Sequence, residues 1–199
     1  MSIKLYVEGG GDSKALRTAC RRGFRQLIEK AGIAGRMPRI VACGGRQDAY
    51  DSFAVAHGGG DGTPMLLVDA EERVTAAGPW AHLRSRDGWV CPTGVVDDQC
   101  HLMIQVMESW FLADTETLAS FYGQQFQQSA LPGHAHVEDI AKAEVLSSLK
   151  RATRQTQKGP YDKGRDSFEI LGAIDPAVVE NAAPSARRLF GVLRGGAEG

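Results

Sequence analysis

The sequence predicts an α/β protein with a mainly parallel four-stranded sheet flanked by helices, followed by a C-terminal helical extension. Over the first 122 residues, short apolar segments alternate with longer segments of helical periodicity, as in strand–helix–strand units. The fully apolar segment at residues 65–68 is typical of a strand covered on both faces, which is the rule in parallel sheets. We therefore place an α/β domain at residues 1–122 and a helical extension that packs on it at residues 123–199.

Composition and charge limit the possible functions. The 199 residues carry a net charge of -1 and are 43% apolar, which fits one globular domain with a sizeable core. No apolar segment approaches the roughly 18 to 20 residues of a membrane span, and the N-terminus shows no signal peptide. We expect a cytoplasmic protein with no membrane segment, and reduced thiols at all four cysteines, which are Cys20, Cys43, Cys91 and Cys100.

The first strand–turn–helix unit is the most informative segment. A predicted strand at residues 3–7 ends at Glu8, and three glycines at residues 9–11 precede a predicted helix at residues 13–31. Glycines allow a sharp turn and the close approach of a ligand. Ligands of open α/β sheets bind outside the carboxyl ends of the strands. Glu8 is therefore a candidate site residue, and a solvated turn residue is the alternative.

Basic residues are concentrated in and after this first helix. Lys14, Arg17 and Arg21 recur at steps of three and four residues, and such a face of one charge favours attraction of a polyanion. The alternative is an ordinary solvated helix face. Arg46 follows the second predicted strand, at residues 39–43, after two glycines. It is either a phosphate contact or a surface arginine without a partner.

Carboxylates follow the third predicted strand, at residues 65–68. Residues two apart in an extended segment point to the same side, so Asp69 and Glu71 are expected to converge on one cation. Oxygen ligands suit a hard divalent ion such as Mg²⁺ or Mn²⁺. The alternative is an acidic helix N-terminus that is stabilised by the helix dipole.

A fourth strand is predicted at residues 101–107, because Leu102, Ile104 and Val106 alternate with more polar residues. Glu108 follows it and is a further candidate metal ligand. Residues 73–100 are predicted to be an irregular surface segment, and residues 195–199 a frayed tail. Further helices are predicted at residues 47–57, 115–122, 138–155, 166–173, 176–182 and 185–193.

Consecutive parallel strands would bring these strand-end carboxylates to one edge of the sheet. Crowded carboxylates repel each other, and a divalent cation relieves that repulsion. A metal held there would polarise a phosphate and lower the pKa of a bound water, or support the leaving oxygen. The combination of Glu8, Asp69, Glu71 and Glu108 with basic helices therefore suits phosphodiester chemistry.

Two motifs within roughly residues 3–110 resemble the TOPRIM domain of topoisomerases, primases, the ribosomal-RNA maturase and the overcoming-lysogenisation-defect nucleases. They are Tyr6-Val7-Glu8-Gly9, with Asp12 and a helix after it, and Leu66-Leu67-Val68-Asp69-Ala70-Glu71. The resemblance implies a Rossmann-like fold, a general acid/base or metal-linked role for Glu8, and a metal-binding pair at Asp69 and Glu71. Glu71 stands where the family pattern has aspartate, and its longer side chain puts the number of metals and the activity in doubt.

The segment Met107-Glu108-Ser109-Trp110 and the helical C-terminal region resemble a bacterial TOPRIM-like branch whose members often lie beside an ABC-type ATPase in phage-defence loci. The resemblance implies an Mg²⁺- or Mn²⁺-dependent nuclease that cleaves DNA or structured RNA, tRNA included, as an effector of antiphage defence. Its implied partners are nucleic acid and an ATPase of the overcoming-lysogenisation-defect type, and a homodimer is left open. The alternatives are a non-catalytic subunit that binds nucleic acid or an ATPase, and an enzyme that transfers phosphoryl or nucleotidyl groups on a small nucleotide.

Overall fold

A computed structural model of the chain describes residues 2–60, 62–133 and 135–195. The described residues form a four-stranded parallel sheet in the order β2-β1-β3-β4. This confirms the predicted α/β class with helices on both sides of a parallel sheet. The strands are β1 (Ile3–Val7), β2 (Arg39–Ala42), β3 (Thr63–Asp69) and β4 (Cys100–Met103).

Helices connect and cover these strands. They are α1 (Lys14–Ile28), α2 (Arg46–Gly58), α3 (Pro79–Asp87), α4 (Ser109–Ala113), α5 (Thr115–Tyr122), α6 (Lys142–Thr153), α7 (Lys163–Ala173), α8 (Pro176–Ala182) and α9 (Pro184–Leu193). A π-helical turn at Glu29–Ile33 extends α1, and short 3-10 turns occur at Ala34–Arg36, Asp97–Gln99, Gln128–Ala130 and Val137–Asp139. Among the described residues, none of these helices combines the length and the apolar character needed to cross a membrane.

Alternate strand residues contribute to hydrophobic clusters on opposite faces of the sheet. Leu67 belongs to the larger cluster, together with side chains of α1 and of α4 to α9. Leu66 belongs to the smaller cluster, together with side chains of α2 and α3. Because both faces are covered, β3 is buried from its second residue to its last, as its apolar sequence predicts.

The contact between α1 and α7 joins the N-terminal and C-terminal parts of the chain. Helix α1 buries Cys20, Phe24 and Leu27 at helical spacing, and Ser13 caps it by accepting a hydrogen bond from a backbone amide of its first turn. Gly23 allows α7 to approach closely, since a Cβ atom there would clash with the backbone carbonyl of Phe168. The two predicted regions, 1–122 and 123–199, thus contribute to one hydrophobic cluster.

The fourth strand is shorter than predicted. It ends at Met103, and all four of its residues are buried, so the alternation at residues 102–106 is not that of a half-exposed strand. After Met103 the chain turns across the end of β3, where the Met107 amide donates a hydrogen bond to the carboxylate of Asp69. Val106 belongs to the larger cluster and Ile104 packs on the smaller one. These two apolar residues therefore lie in a turn, although their alternation resembles that of a strand.

Two helical predictions are also corrected. The segment predicted to be irregular at residues 73–100 contains α3, which begins at Pro79, a residue well suited to the first turn of a helix. The helix predicted at residues 138–155 begins only at Lys142, after a 3-10 turn. Of the tail predicted at residues 195–199, all but Gly195 lies outside the described residues.

Candidate metal centre

Three predicted site residues converge at the carboxyl edge of the sheet. Glu8 follows β1, Asp69 ends β3, and Glu71 lies two residues further on. One carboxylate oxygen from each lies within 4.8 Å of the other two. Strands β1 and β3 are parallel neighbours in the sheet, which is why residues 61 positions apart in the chain meet here.

Asp69 is the buried member of this group, with only 2% of its surface exposed. Its Oδ1 atom accepts a hydrogen bond of 2.7 Å from the Met107 amide, and its Oδ2 atom lies 3.6 Å from the Lys163 ammonium. Burial, reinforced by the charge of Glu8, raises the pKa of Asp69 to about 8. The metal-free protein therefore holds a proton at this carboxyl group near neutral pH, and a bound cation would release it.

Glu8 connects the ends of the two strands. Its Oε2 atom accepts a hydrogen bond of 3.0 Å from the Asp69 amide and lies 3.7 Å from the Arg46 guanidinium. Burial raises the pKa of Glu8, and the Asp69 amide and the Arg46 charge only partly offset that effect. Glu8 is thus a half-buried carboxyl group with a pKa displaced towards neutrality, as suits a proton-transfer residue.

Glu71 reaches the group by a different route from the one predicted. Its backbone is left-handed, with φ 70°, so the convergence with Asp69 does not come from strand alternation. Its carboxylate forms an ion pair with Lys142 and lies 3.8 Å from Arg86. Burial alone would raise the pKa of Glu71, but the hydrogen bond and charge of Lys142 outweigh it and lower the pKa.

Glu108 is not one of the three converging carboxylates. It is fully buried, its Oε1 atom accepts a hydrogen bond of 2.8 Å from the Tyr161 hydroxyl, and the same atom lies 3.5 Å from Lys163. Its Oε2 atom has no hydrogen-bond partner among the described residues. Glu108 and Asp69 therefore share Lys163, and a direct role of Glu108 as a metal ligand stays a prediction.

Lys163 and Tyr161 are site residues that the sequence analysis did not identify. Lys163 is the first residue of α7, which the Asp162 side chain caps. Burial disfavours its ammonium form, but the carboxylates of Asp69 and Glu108 outweigh that effect and raise its pKa. Nothing in the periodicity of the sequence shows that residues 161–163 return to the sheet. The one signal in the sequence is that basic residues are frequent between Lys142 and Arg165.

A cavity of about 230 Å³ opens beside these carboxylates. Glu8, Asp69 and Lys163 form its polar side, and the glycine turn at residues 9–11 forms another. Gly10 has φ +89°, and a Cβ atom there would lie 2.7 Å from the Arg17 Cα, so this turn requires glycine. The remaining wall is largely apolar and consists of Leu16, Met103, Met107 and Phe168, with Gly44 and Gly164.

Of the four predicted phosphate-binding residues, two are held by hydrogen bonds to the strand-end segments and two are exposed on α1. Arg46 is not a surface arginine without a partner: it donates hydrogen bonds to the Asp69 carbonyl and to Asp87 and packs on the Trp89 ring at 5.0 Å. Arg17 donates a hydrogen bond of 2.9 Å to the Gly11 carbonyl and so holds the glycine turn. Lys14 and Arg21 lie exposed on α1. Phosphate binding by all four stays a prediction.

The three converging carboxylates fit a hard divalent cation. Ligand oxygens at about 2.1 Å from Mg²⁺ lie at most about 4.2 Å apart across the ion, and the three carboxylate oxygens lie within 4.8 Å of one another. Small side-chain rotations, or a water in place of one direct ligand, would adapt the three carboxylates to that spacing. When no cation is bound, Arg46 lies beside Glu8, Lys142 pairs with Glu71, and Lys163 pairs with Glu108.

Fold and site together define a parallel α/β protein with a candidate hard-cation centre at the carboxyl edge of its sheet. The model of the family described as Domain of unknown function (DUF4276) matches residues 7–194, and the chain belongs to that family. The matched region includes Glu8, Asp69, Glu71 and Lys163. Searches of curated proteins and of solved structures find no match to the chain.

Proposed function

We propose that the protein is a divalent-metal-dependent nuclease of the TOPRIM type, which hydrolyses phosphodiester bonds in DNA or structured RNA with Mg²⁺ or Mn²⁺. The observation that carries this proposal is the convergence of Glu8, Asp69 and Glu71 beside a glycine turn at the carboxyl edge of the sheet. Carboxylates that share a cation next to a turn without side chains provide both a Lewis acid and room for a phosphate.

Each residue has a role in this proposal. Asp69 and Glu71 would hold the cation, which would polarise the phosphate and lower the pKa of a bound water. Glu8 is a further ligand or the acid/base group, because its raised pKa and partial exposure suit proton transfer. Lys163 places a positive charge on the cavity wall, where it stabilises charge that develops on the phosphate oxygens.

The ion pairs of the site favour one other candidate, a non-catalytic subunit that binds nucleic acid or an ATPase. Glu8, Asp69 and Glu71 each have a basic partner, on α2, α7 and α6 respectively. If these pairs are purely structural, no cation is needed and the carboxylates only fix helices to the sheet. The resemblance to defence-associated TOPRIM proteins supports an effector or subunit of an antiphage system under either candidate.

A cleavage assay over a panel of DNA and tRNA substrates, combined with calorimetric titration of Mn²⁺, separates the two candidates. The nuclease proposal expects metal-dependent cleavage that Glu8→Gln and Asp69→Asn abolish while circular dichroism stays unchanged. Glu72→Gln is the matched control, because Glu72 is the exposed neighbour of Glu71 and should retain activity. Failure of the wild-type protein to bind Mn²⁺, or equal cleavage by Glu8→Gln, would reject the proposal.

A further inference from the structure

Helix α1 presents a row of cations to solvent. Lys14, Arg21 and Arg25 are spaced by seven and four residues, so at about 100° per residue they lie within about 40° of one another around the helix. All three are exposed, and Arg22 flanks them. The opposite face of the same helix is buried in the larger hydrophobic cluster. The row therefore lies on the outer surface of the protein.

Among the described residues, these cations differ from Arg46, Lys142 and Lys163 in having no acidic partner. Within the parts of the chain that the structure describes, no carboxylate forms an ion pair with Lys14, Arg21, Arg22 or Arg25. Arg21 donates a hydrogen bond to the neutral hydroxyl of Thr18. The net charge of the chain is -1, so this row is a local positive field and not part of a generally basic surface.

The row begins near the candidate metal centre. Lys14 begins α1 three residues after the glycine turn, which lines the cavity beside Glu8. Leu16 lies about 200° from Lys14 around the helix and lines the cavity from the other side of α1. On the outer side of the helix, Lys14, Thr18 and Arg22 border a shallow groove of about 550 Å³. A chain of phosphates lying on this face would therefore reach the cavity around the N-terminus of α1, where the glycine turn lies.

We infer that the outer face of α1 is the docking surface of a polynucleotide strand that extends from the cavity past Arg25. This inference rests on the proposed function and deepens it, because it states where on the protein surface the substrate strand lies. Lys14 and Arg25 are eleven residues apart, which corresponds to about 16 Å along the helix. One strand of a duplex carries a phosphate about every 3.4 Å along its axis, so the face spans about four or five nucleotides.

The side chains on this face favour a nucleic acid over an anionic membrane. Helices that bind membranes in this way insert large apolar residues next to their cations. Among the described residues, the large hydrophobic side chains that are exposed are Val55, Val90, Val96 and Val178, and none of them lies on α1. The row is bordered instead by Ala15 and Thr18, which offer little to a lipid interior.

The test measures binding of labelled oligonucleotides of about 12 nucleotides, single-stranded and duplex, by fluorescence anisotropy in EDTA. EDTA removes any metal, so the test does not depend on cleavage. The double variant Arg21→Gln/Arg25→Gln should bind duplex at least about 10-fold more weakly at low salt. It should also reduce the slope of log affinity against log salt by about two units, at about 0.9 per lost phosphate contact. Lys150→Gln/Arg154→Gln is the matched control, an exposed pair with the same spacing at the end of α6, and should leave both quantities unchanged.

Three results would overturn the inference. The first is that the two double variants weaken oligonucleotide binding equally. The second is that an unlabelled dinucleotide competes as strongly as the full-length oligonucleotide. The third is that the protein binds phosphatidylserine vesicles more tightly than oligonucleotides. Calorimetric titration of Mn²⁺ into the Arg21→Gln/Arg25→Gln variant should give the wild-type affinity. Because strand docking is measured without metal and metal binding without a strand, failure of this inference and failure of the nuclease proposal give different results.

Discussion

The strongest single prediction concerns Asp69→Asn, which should stabilise the metal-free protein at high pH while removing its cation site. Asp69 is buried, and its raised pKa means that folding favours the protonated carboxyl group. Its contribution to stability is therefore complete below the pKa of the unfolded chain and is lost as pH rises through the folded pKa. Asparagine resembles the protonated acid in shape and keeps an acceptor for the Met107 amide.

The size of the effect follows from the pKa difference. The folded pKa of Asp69 is about 8, against about 3.9 in an unfolded chain. At about 1.4 kcal/mol per pKa unit, this difference lowers the free energy of unfolding of the metal-free wild type by an amount on the order of 5 kcal/mol between pH 4 and pH 8. Since whole domains have unfolding free energies of about 5 to 15 kcal/mol, the metal-free wild type should be only marginally stable above pH 8.

Urea unfolding in EDTA, followed by tryptophan fluorescence at several pH values, measures this effect. The free energy of unfolding of the Asp69→Asn variant should equal that of the wild type near pH 4 and should exceed it by a growing amount towards pH 8. Asp51→Asn, which changes an exposed aspartate on α2, should follow the wild-type curve. With Mn²⁺ in place of EDTA, at 100 times the dissociation constant, the wild type at pH 8 should regain about 2.7 kcal/mol, roughly half of the free energy lost between pH 4 and pH 8, and Asp69→Asn should be unchanged. Parallel pH curves for wild type and Asp69→Asn would refute the electrostatic argument.

Two further predictions concern the partners of the site. Lys142→Met removes the ammonium group that pairs with Glu71 and that would compete with a metal ion for its carboxylate. If Glu71 is a metal ligand, the Mn²⁺ affinity measured by calorimetry should rise about two- to fivefold, which corresponds to the energy of one partly exposed ion pair. A lower affinity would contradict this competition. Gly23→Ala places a methyl group against the backbone of α7 and should destabilise the protein by about 1 to 3 kcal/mol or more in thermal unfolding. Gly191→Ala, in open space on α9, should be neutral or slightly stabilising, and equal effects of the two glycine variants would contradict the close α1–α7 contact.

The parallel sheet could be predicted from the sequence because each strand carries a local signal. The apolar run before Asp69 and the glycine turn after Glu8 mark strand ends whatever the rest of the chain does. Once the strands are parallel neighbours, their carboxyl ends must lie at one edge, so the meeting of these two carboxylates follows from topology alone.

Other features could not be predicted because they depend on tertiary contacts. Glu71 faces the site through a left-handed backbone, which the sequence signals do not indicate for a glutamate. Residues 102–106 alternate like a strand, but β4 ends at Met103 and the following residues form a turn that the Asp69 carboxylate stabilises from another element. The basic partners Lys142 and Lys163 are ordinary charged residues in sequence, and only the packing of α6 and α7 brings them to the carboxylates.

The position of these partners bears on how the chain is organised. The predicted boundary between residues 122 and 123 stays a prediction, but the site draws on both sides of it: Lys142 and Lys163 lie beyond the boundary and neutralise carboxylates before it. Without residues 123–199, Glu108 would lose both the Lys163 ammonium and the Tyr161 hydroxyl, and a buried carboxylate without a partner is strongly destabilising. The C-terminal helices are therefore part of the charge balance of the site, and any cation that binds there competes with the residues that hold those helices in place.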